Sequence, residues 1–176
     1  YQLESALGLL PKADNTPGSV YKFIAELKRE RAPGLKAEYS NINTFVLGWL
    51  VEKVTGKKYA DLVTELIWEP MGASSDAYMC LSEKGIPWPH GGMSVTLRDL
   101  ARFGMLYTKS EIAAKKESII SFAQLKEIFD APPIDNPIAP FKWCYQWDLA
   151  SDGIMIKGGF GGQILLIDRK STRLNS

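Results

Sequence analysis

The spacing of apolar residues changes once along this 176-residue chain, and the change restricts the folds that it can adopt. Up to about residue 130, apolar side chains recur at the three- and four-residue intervals of helices. After a proline-rich stretch at 132–140, aromatic residues alternate over 143–147 and apolar residues then cluster over 154–156 and 164–167. Short segments of this kind are typical of β-strands. Helices followed by strands predict an α/β or α+β chain.

The helical region divides into segments that are bounded by capping and turn residues. Gly56 marks the end of a helix over 42–55, because glycine readily adopts the left-handed conformation that ends a helix. Thr96, with Asp99 three residues later, marks the start of another helix, which reaches Tyr107. The residues that this helix is predicted to bury are Leu97, Leu100, Ala101 and Gly104. The other predicted segments are a loop over 1–18, helices over 19–30, about 59–68 and from 121, and an irregular stretch over 70–92.

Composition argues against several kinds of partner. Lysine and arginine number 21 and acidic residues 20, so the net charge is +1 and no basic patch for nucleic acid stands out. One histidine and two cysteines provide no spaced set of metal ligands. No apolar run reaches the roughly 18 residues that a transmembrane helix needs. The single histidine, His90, precedes two glycines and is predicted to be a surface residue outside any site.

Tyr39 and Asn41 stand two residues apart, just before an apolar helix. In an extended backbone, side chains two apart point the same way, so a phenol and an amide would face one site. A phenol has a pKa of about 10 and acts as a base only where nearby cations lower that value. The same residues also fit a tyrosine packed in the core, with Asn41 or Asn43 capping the helix that follows.

Glycines flank Phe160 on both sides in a segment that begins at Lys157. The bare backbone at Gly158, Gly159 and Gly161 would let a ligand lie against a strand, where a substrate amide could pair as an added strand. Backbone N–H groups in such a segment can also stabilise an oxyanion. The alternative is a glycine-rich hairpin turn beside an exposed lysine.

Ser19 and Lys22 have the Ser-x-x-Lys spacing that places a nucleophile and its base one helical turn apart. With 13 serines and 15 lysines in 176 residues, about one such match is expected by chance. Finding one match is therefore no evidence for a catalytic pair. A serine that caps a helix and a lysine on the surface would have the same spacing.

Six segments, taken in their order and spacing, resemble those of a known family. They are Ala-Pro-Gly at 32–34, Tyr-Ser-Asn at 39–41, and the segments 47–56, 68–72, 91–104 and 157–163. From about residue 31 to residue 168 the chain resembles the β-lactamase-related serine hydrolases. This class C type group includes esterases, D-aminopeptidases and 6-aminohexanoate-dimer hydrolases. Each segment alone is a weak signal, but together they are specific.

The resemblance implies a role for each polar candidate. Tyr39 would be the proton relay beside a nucleophilic serine, and Asn41 would help to hold the acyl amide and the lysine. Lys157 would occupy the family's third motif, on the strand beside the serine. The backbone N–H of Phe160 would supply half of the oxyanion hole.

The resemblance also limits the chemistry. In the lactamases, a hydroxyl residue at the position of Gly158 helps to bind the β-lactam carboxylate, so its replacement disfavours penicillin turnover. Esterase or amidase chemistry remains open. The implied reaction is acyl transfer, in which a serine attacks a carbonyl group of a small-molecule or peptide-like substrate and water releases the acyl-enzyme, without a metal or organic cofactor.

The implied fold is the β-lactamase/transpeptidase-like α/β fold, and residues 1–168 would be part of it: the helical region and the strands of the antiparallel sheet on the active-site side. The family's Ser-x-x-Lys lies far upstream of Tyr-x-Asn, whereas Ser19 precedes Tyr39 by only 20 residues. We therefore assign Ser19 and Lys22 as a helix cap and a surface lysine, and expect the nucleophile before Tyr1. The polar segment 169–176 is interpreted as a truncated or foreign tail.

Three other interpretations stay open. The first is a non-catalytic relative that binds peptides or cell-wall fragments. The second is a complete small enzyme that uses Ser19 and Lys22, which requires the hydroxyl groups of Ser19 and Tyr39 to lie close together. The third is a domain with no site, in which Tyr39 and Lys157 lie in unrelated places.

Overall fold

The computed structural model describes residues 2–8, 10–12, 15–16, 18–108, 119–132, 134–135, 141–150 and 153–168. The predicted tail at 169–176 lies outside these residues. The chain divides into two compact units. The described residues of Tyr1–Ala32, Tyr39–Leu62 and Ala77–Ser94 form the first unit, and those of Pro33–Glu38, Val63–Asp76 and Val95–Ser176 form the second. None of the helices in the described ranges has the length and apolar character to cross a membrane.

The first unit is a small helical assembly with one short β-ladder. Its helices are α1 (Gln2–Ala6), α2 (Val20–Glu26), α3 (Asn41–Thr55) and the start of α4 (Tyr59–Val63), and its strands β1 (Tyr78–Met79) and β2 (Met93–Ser94) pair antiparallel. Its core consists of buried apolar residues from the first three helices and the residues beside them: Leu3, Leu7, Val20, Phe23 and Phe45.

Helix α1 corrects the prediction of a loop over 1–18. A helix of five residues is not stable on its own, because few hydrogen bonds offset the entropy of forming it. Leu3 and Leu7, one turn apart, are both buried in the core of the first unit. Burial of this leucine pair therefore stabilises a helix that propensity alone does not predict.

The other helix boundaries in the first unit follow the sequence more closely. Helix α3 ends at Gly56, whose φ of 71° is the left-handed value predicted for a helix stop. Helix α2 ends at Glu26, earlier than the predicted residue 30, and Leu27 is already extended. Residues 27–31 are exposed and mostly charged, so no burial offsets the cost of extending the helix.

The second unit contains the main sheet. Its strands β3 (Ile134–Asp135), β4 (Lys142–Cys144), β5 (Trp147–Leu149), β6 (Ile154–Gly158) and β7 (Ile164–Asp168) pair antiparallel in chain order. A π-helical turn (Thr64–Trp68) continues α4 and completes the predicted segment 59–68. Helices α5 (Leu97–Met105) and α6 (Phe122–Asp130) complete the unit. Trp147, Met155 and Ile167 form the core of this unit.

Helix α5 starts as predicted but buries a different set of residues. The hydroxyl of Thr96 accepts a hydrogen bond from the N–H of Asp99, which confirms the cap. Leu97 is 83% exposed and Ala101 is also exposed, so their predicted burial is wrong. The sheet contacts the helix at Gly104, where an added Cβ would lie 3.1 Å from Cδ1 of Leu165. Leu97, in the first turn, does not share that buried position.

The predicted alternation over 143–147 is interrupted by a turn. Cys144 pairs with Trp147, and Tyr145 and Gln146 form the loop of a two-residue hairpin. Tyr145 is accordingly exposed, while Cys144 and Trp147 are buried. The predicted strands after this point are present as β6 and β7.

Candidate active site

Tyr39 presents its side chain to solvent at the start of α3. The residue is 63% exposed, and Ser40 after it is extended, with φ −147° and ψ 118°. The alternative interpretation of Tyr39 as a residue packed in the core is therefore wrong. The helix begins at Asn41, and the cap position belongs to Ser40, whose side chain makes no capping hydrogen bond. Neither Asn41 nor Asn43 is the cap, so the capping alternative is wrong as well.

Asn41 is held by a side chain far away in the sequence. Its Nδ2 donates a hydrogen bond to Oε1 of Glu4 at 3.1 Å. Glu4 lies on α1, which is fixed by the buried Leu3 and Leu7. The contact spans 37 residues, so no local pattern could have indicated it. Glu4 is thus a residue of the candidate site that sequence reasoning missed.

His90 is less exposed than predicted. Its ring is half-buried, with centroids 6.0 Å from those of both Phe45 and Trp88. Burial lowers the pKa of His90, and the Glu4 carboxylate partly opposes that effect. Among the described residues, neither Nδ1 of His90 nor Nε1 of Trp88 has a hydrogen-bond partner. The prediction of a surface histidine is therefore wrong, although the rest of the predicted irregular stretch is largely as expected.

Lys157 lies on β6 and is half-buried, so the exposed lysine of the alternative interpretation is wrong, whereas the glycine-rich hairpin turn of that alternative is present. Its Nζ donates a hydrogen bond to the carbonyl oxygen of Gln146 at 2.7 Å and lies 5.1 Å from the centre of the Trp143 ring. Burial lowers the pKa of Lys157, and the Asp148 carboxylate acts in the opposite direction. The ammonium is thus oriented by a carbonyl and an aromatic ring, rather than moving in bulk solvent.

The strand that carries Lys157 lies between two neighbouring strands. Strand β5 pairs with β6 at Met155 and Ile156, and β7 pairs with β6 as far as Gly158. Addition of a peptide-like substrate along this strand stays a prediction.

A tight turn follows, with Phe160 at its tip. Gly159 donates to the carbonyl of Gln163 at 2.8 Å, and Gly162 donates to the carbonyl of Gly159 at 3.2 Å. Gly161 has a φ of 96°, which a residue with a side chain rarely adopts. Phe160 is fully exposed. The glycines therefore shape a projecting turn, which leaves the backbone at Phe160 accessible.

Ser19 and Lys22 have the surroundings of a helix start and a surface cation. Ser19 holds the cap position of α2, although its side chain makes no capping hydrogen bond. The Lys22 side chain is 70% exposed, and its Nζ lies 3.8 Å from Oε1 of Glu26. A lysine that serves as a base needs burial or a neighbouring cation. Lys22 is instead exposed and paired with a carboxylate.

The predicted site residues fall into two groups, and each group is compact in itself. Tyr39 and Asn41 belong to the first unit, and residues 157–161 belong to the second. Their convergence on one pocket stays a prediction. In the described part of the chain, no group of three or more His, Cys, Asp or Glu residues could hold a metal ion.

Comparison with known proteins identifies one family whose match includes both groups of candidate residues. Residues 3–172 match the family model described as Beta-lactamase. A 6-aminohexanoate-dimer hydrolase from Paenarthrobacter ureafaciens is 32% identical over 110 residues, which are 62% of this chain and 28% of that protein. The chain thus spans less than a third of the length of this curated relative.

Solved structures agree on the fold. A putative 6-aminohexanoate-dimer hydrolase from Bacillus anthracis matches with a TM-score of 0.82 and 31% identity, over 96% of this chain and 45% of that chain. An octameric penicillin-binding protein homologue from Pyrococcus abyssi matches with a TM-score of 0.59 and 21% identity, over 93% of this chain and 40% of that one. The predicted β-lactamase/transpeptidase-like fold, present in part, is confirmed, and the chain belongs to the β-lactamase family.

Proposed function

We propose that this chain carries the substrate-facing part of a serine hydrolase that acts by acyl transfer on an amide or ester. Residues 1–168 supply the proton relay, the lysine and the substrate-binding strand. The nucleophilic serine and its lysine belong to a segment of the natural polypeptide that precedes Tyr1. Membership of the β-lactamase family supports the hydrolase class, and the similarity to 6-aminohexanoate-dimer hydrolases supports an amide as substrate.

One observation carries the proposal: the ammonium of Lys157 is half-buried, bonded to the carbonyl of Gln146 and placed against the ring of Trp143. A surface lysine on a hairpin would have no reason to be bonded to a carbonyl and placed against an aromatic ring. A cation held in a fixed position suits a substrate whose carbonyl develops negative charge. Preorganised charge of this kind is usually the largest contribution to catalysis of acyl transfer.

The proposed mechanism gives a step to Tyr39, Asn41 and Phe160. The serine Oγ adds to the substrate carbonyl carbon, and its proton passes to the phenolate oxygen of Tyr39. The N–H of Phe160 donates to the oxyanion that forms, and Asn41 holds the acyl amide. The bond to the leaving group then breaks as Tyr39 returns the proton to it. Water attacks the acyl-serine by the same route, which releases the acid and restores the serine.

The proposed mechanism requires positive charge beside the proton relay. A phenol acts as a base near neutral pH only where positive charge stabilises the phenolate. The lysine of the nucleophile segment would supply that charge. Asn41 is fixed through Glu4, so the amide can orient the substrate without reorganisation during the reaction.

The test is turnover by the natural polypeptide that contains residues 1–168, assayed with 6-aminohexanoate dimer, p-nitrophenyl acetate and nitrocefin. We expect hydrolysis of the amide or the ester, and little or none of nitrocefin. Tyr39→Phe should lower kcat/KM by about 10²- to 10⁴-fold, because it removes the proton relay. Tyr78→Phe is the matched control, since Tyr78 is also exposed and lies on β1, away from the proposed roles.

Two outcomes would contradict the proposal. Binding of the dimer without turnover, unaffected by Tyr39→Phe, would indicate a non-catalytic relative. The 176-residue chain alone should hydrolyse none of the three compounds. Turnover by that chain, abolished by Ser19→Ala, would show a complete small enzyme instead.

A further inference from the structure

The turn between β4 and β5 has a backbone conformation that its residues disfavour. Tyr145 and Gln146 have φ values of 45° and 68°, and no other non-glycine residue in the described ranges has a positive φ. A two-residue hairpin loop with positive φ at both positions favours Asn-Gly, because side chains crowd the backbone there. Such strain persists only where the surrounding structure holds it, and it concentrates at functional sites.

Contacts with α6 hold this turn from one side. The hydroxyl of Tyr145 donates a hydrogen bond to Oε1 of Glu127 at 2.5 Å, and this bond raises the pKa of Tyr145, so the phenol remains a donor. The thiol of Cys144 donates to the carbonyl of Ile128 at 3.3 Å. The tyrosine that makes the loop conformation unfavourable is thus the residue that anchors the loop.

The same turn and the residue before it hold Lys157. The carbonyl of Gln146 accepts a hydrogen bond from Nζ of Lys157, and Trp143, just before the turn, places its ring against the same ammonium. A lysine side chain has four rotatable bonds and populates many rotamers when it is unconstrained. The carbonyl of Gln146 is part of this loop, so a change in the loop conformation would move the acceptor that holds the ammonium.

We propose that the Cys144–Trp147 turn, anchored to α6 through Tyr145 and Glu127, is a positioning element that fixes the ammonium of Lys157. Tyr145, Gln146 and Glu127 act through Lys157 and touch no reacting atom. The importance of that position for acyl transfer rests on the proposed function. The positioning itself is a property of the second unit and is measured without turnover.

The experiment is an NMR titration of the Lys157 side chain in the 176-residue chain, with the signal assigned through Lys157→Arg. Glu127→Ala and Tyr145→Phe each remove the anchor. In both variants we expect the pKa of Lys157 to rise toward the value of about 10.4 for an exposed lysine, because the released ammonium gains solvent. Glu127→Gln keeps an acceptor for the tyrosine hydroxyl and should leave the titration as in the wild type.

The controls separate anchoring from charge and from stability. Lys126→Ala changes the neighbouring exposed residue on α6, and Tyr78→Phe removes a hydroxyl elsewhere; neither should move the Lys157 titration. Glu127 is exposed and alanine favours helices, so Glu127→Ala should fold. An unchanged Lys157 pKa in Glu127→Ala and Tyr145→Phe, even with a lower Tm, would overturn the proposal. Equal shifts in Glu127→Gln and Glu127→Ala would also overturn it, because they would indicate a charge effect.

Kinetics of the natural polypeptide distinguish the two proposals. If both hold, Glu127→Ala should lower kcat on the order of tenfold with little change in KM, as expected for a displaced catalytic group. If the polypeptide shows no turnover but the titrations behave as described, the proposed function fails and the positioning element stands.

Discussion

The two groups of candidate residues are built in different ways. In the first unit, Tyr39 and Asn41 depend on helices that meet through an apolar core, and on one side-chain contact with Glu4, far away in the sequence. In the second unit, Lys157 lies within a run of hairpins, where strand register fixes each residue against its neighbour along the chain. Long-range packing positions the phenol and the amide, whereas local pairing positions the lysine.

The difference predicts what each group tolerates. A residue placed by packing is sensitive to the volume of buried side chains elsewhere in its unit, because interiors are close-packed. A residue placed by register is sensitive to turn conformation, since a turn sets the register of the strands that it joins. Changes to the core should therefore disturb Tyr39 and Asn41 most, and changes to turns should disturb Lys157 most.

The largest effects are expected from the two cores. Phe45 is 1% exposed and contacts the rings of Tyr21 and His90, so Phe45→Ala should cost about 3 to 5 kcal/mol of unfolding free energy. Met155→Ala, in the core of the second unit, should cost about 2 to 5 kcal/mol. Urea unfolding measures both. Hydrogen exchange should accelerate in α3 for the first variant and in β6 for the second. If hydrogen exchange accelerated throughout the chain in both variants, the two units would not respond separately, and this prediction would be contradicted.

A buried carboxylate makes the second unit sensitive to acid. The backbone N–H of Ser74, at 2.8 Å, is the main cause that holds the pKa of Asp99 well below its ordinary range, helped by Thr96 and Arg102. The folded pKa is depressed, so this stability is complete above the unfolded pKa of about 4 and is lost as the pH falls toward the folded value. The urea midpoint of the second unit should therefore fall with acid below that pH.

Asparagine variants provide the check for this acid dependence. Asp99→Asn removes the titrating group, so the midpoint should be lower near neutral pH but should change less below pH 4. Asp61→Asn, at an exposed position on α4, should leave the profile as in the wild type. An Asp99→Asn profile with the wild-type slope would show that another group causes the acid dependence.

The single histidine reports on the first group of residues. Burial lowers the pKa of His90 and Glu4 partly opposes it, so the wild-type value should lie below about 6.5. Glu4→Gln removes the opposing charge, and the pKa of His90 should fall further. NMR titration of the one imidazole in the chain measures both values. Glu83→Gln, at an exposed position in the same unit, is the control. A higher pKa in Glu4→Gln would mean that Glu4 does not act on His90.

Contiguous signals in the sequence predicted the second unit better than the first. The strands after residue 153, the cap at Thr96 and the helix that starts at residue 121 are predicted from adjacent residues. Helix α1 was missed, and with it Glu4, because a five-residue helix depends on burial against residues that are remote in the sequence. His90 was misjudged for the same reason: its burial against Phe45 and Trp88 comes from the fold.

Within the second unit, the turn at Tyr145 and Gln146 was missed for the opposite reason. Local preference predicts a strand through Trp143, Tyr145 and Trp147, since neither Tyr145 nor Gln146 is typical of a loop with positive φ. Hydrogen bonds to α6 and to Lys157 override that preference. The predicted burial of Leu97 and Ala101 is wrong for a further reason. An apolar pattern identifies one face of a helix, but it does not show which turns of that face contact the sheet.

The smallest effects concern two glycines of the segment that begins at Lys157. Gly158 has no positive φ, and an added Cβ there would meet no atom within 4 Å, so its conformation does not require glycine. Gly158→Thr should raise the unfolding free energy by about 0.5 to 1 kcal/mol, because glycine weakens a strand. Gly161→Ala should lower it by about 1 to 2 kcal/mol, because the φ of 96° crowds a side chain. Urea unfolding compares the two variants.

A loss of stability in Gly158→Thr would show that β6 needs bare backbone at this position, contrary to its pairing with Ile164. If the variant is stabilised as expected, the glycine is retained for a reason other than folding, and the substrate is the remaining candidate. In the natural polypeptide, Gly158→Thr should then improve nitrocefin turnover relative to the amide, since a hydroxyl there would bind a β-lactam carboxylate. An unchanged ratio of the two rates would remove Gly158 from the substrate-binding residues while leaving Lys157 and Phe160 in their proposed roles.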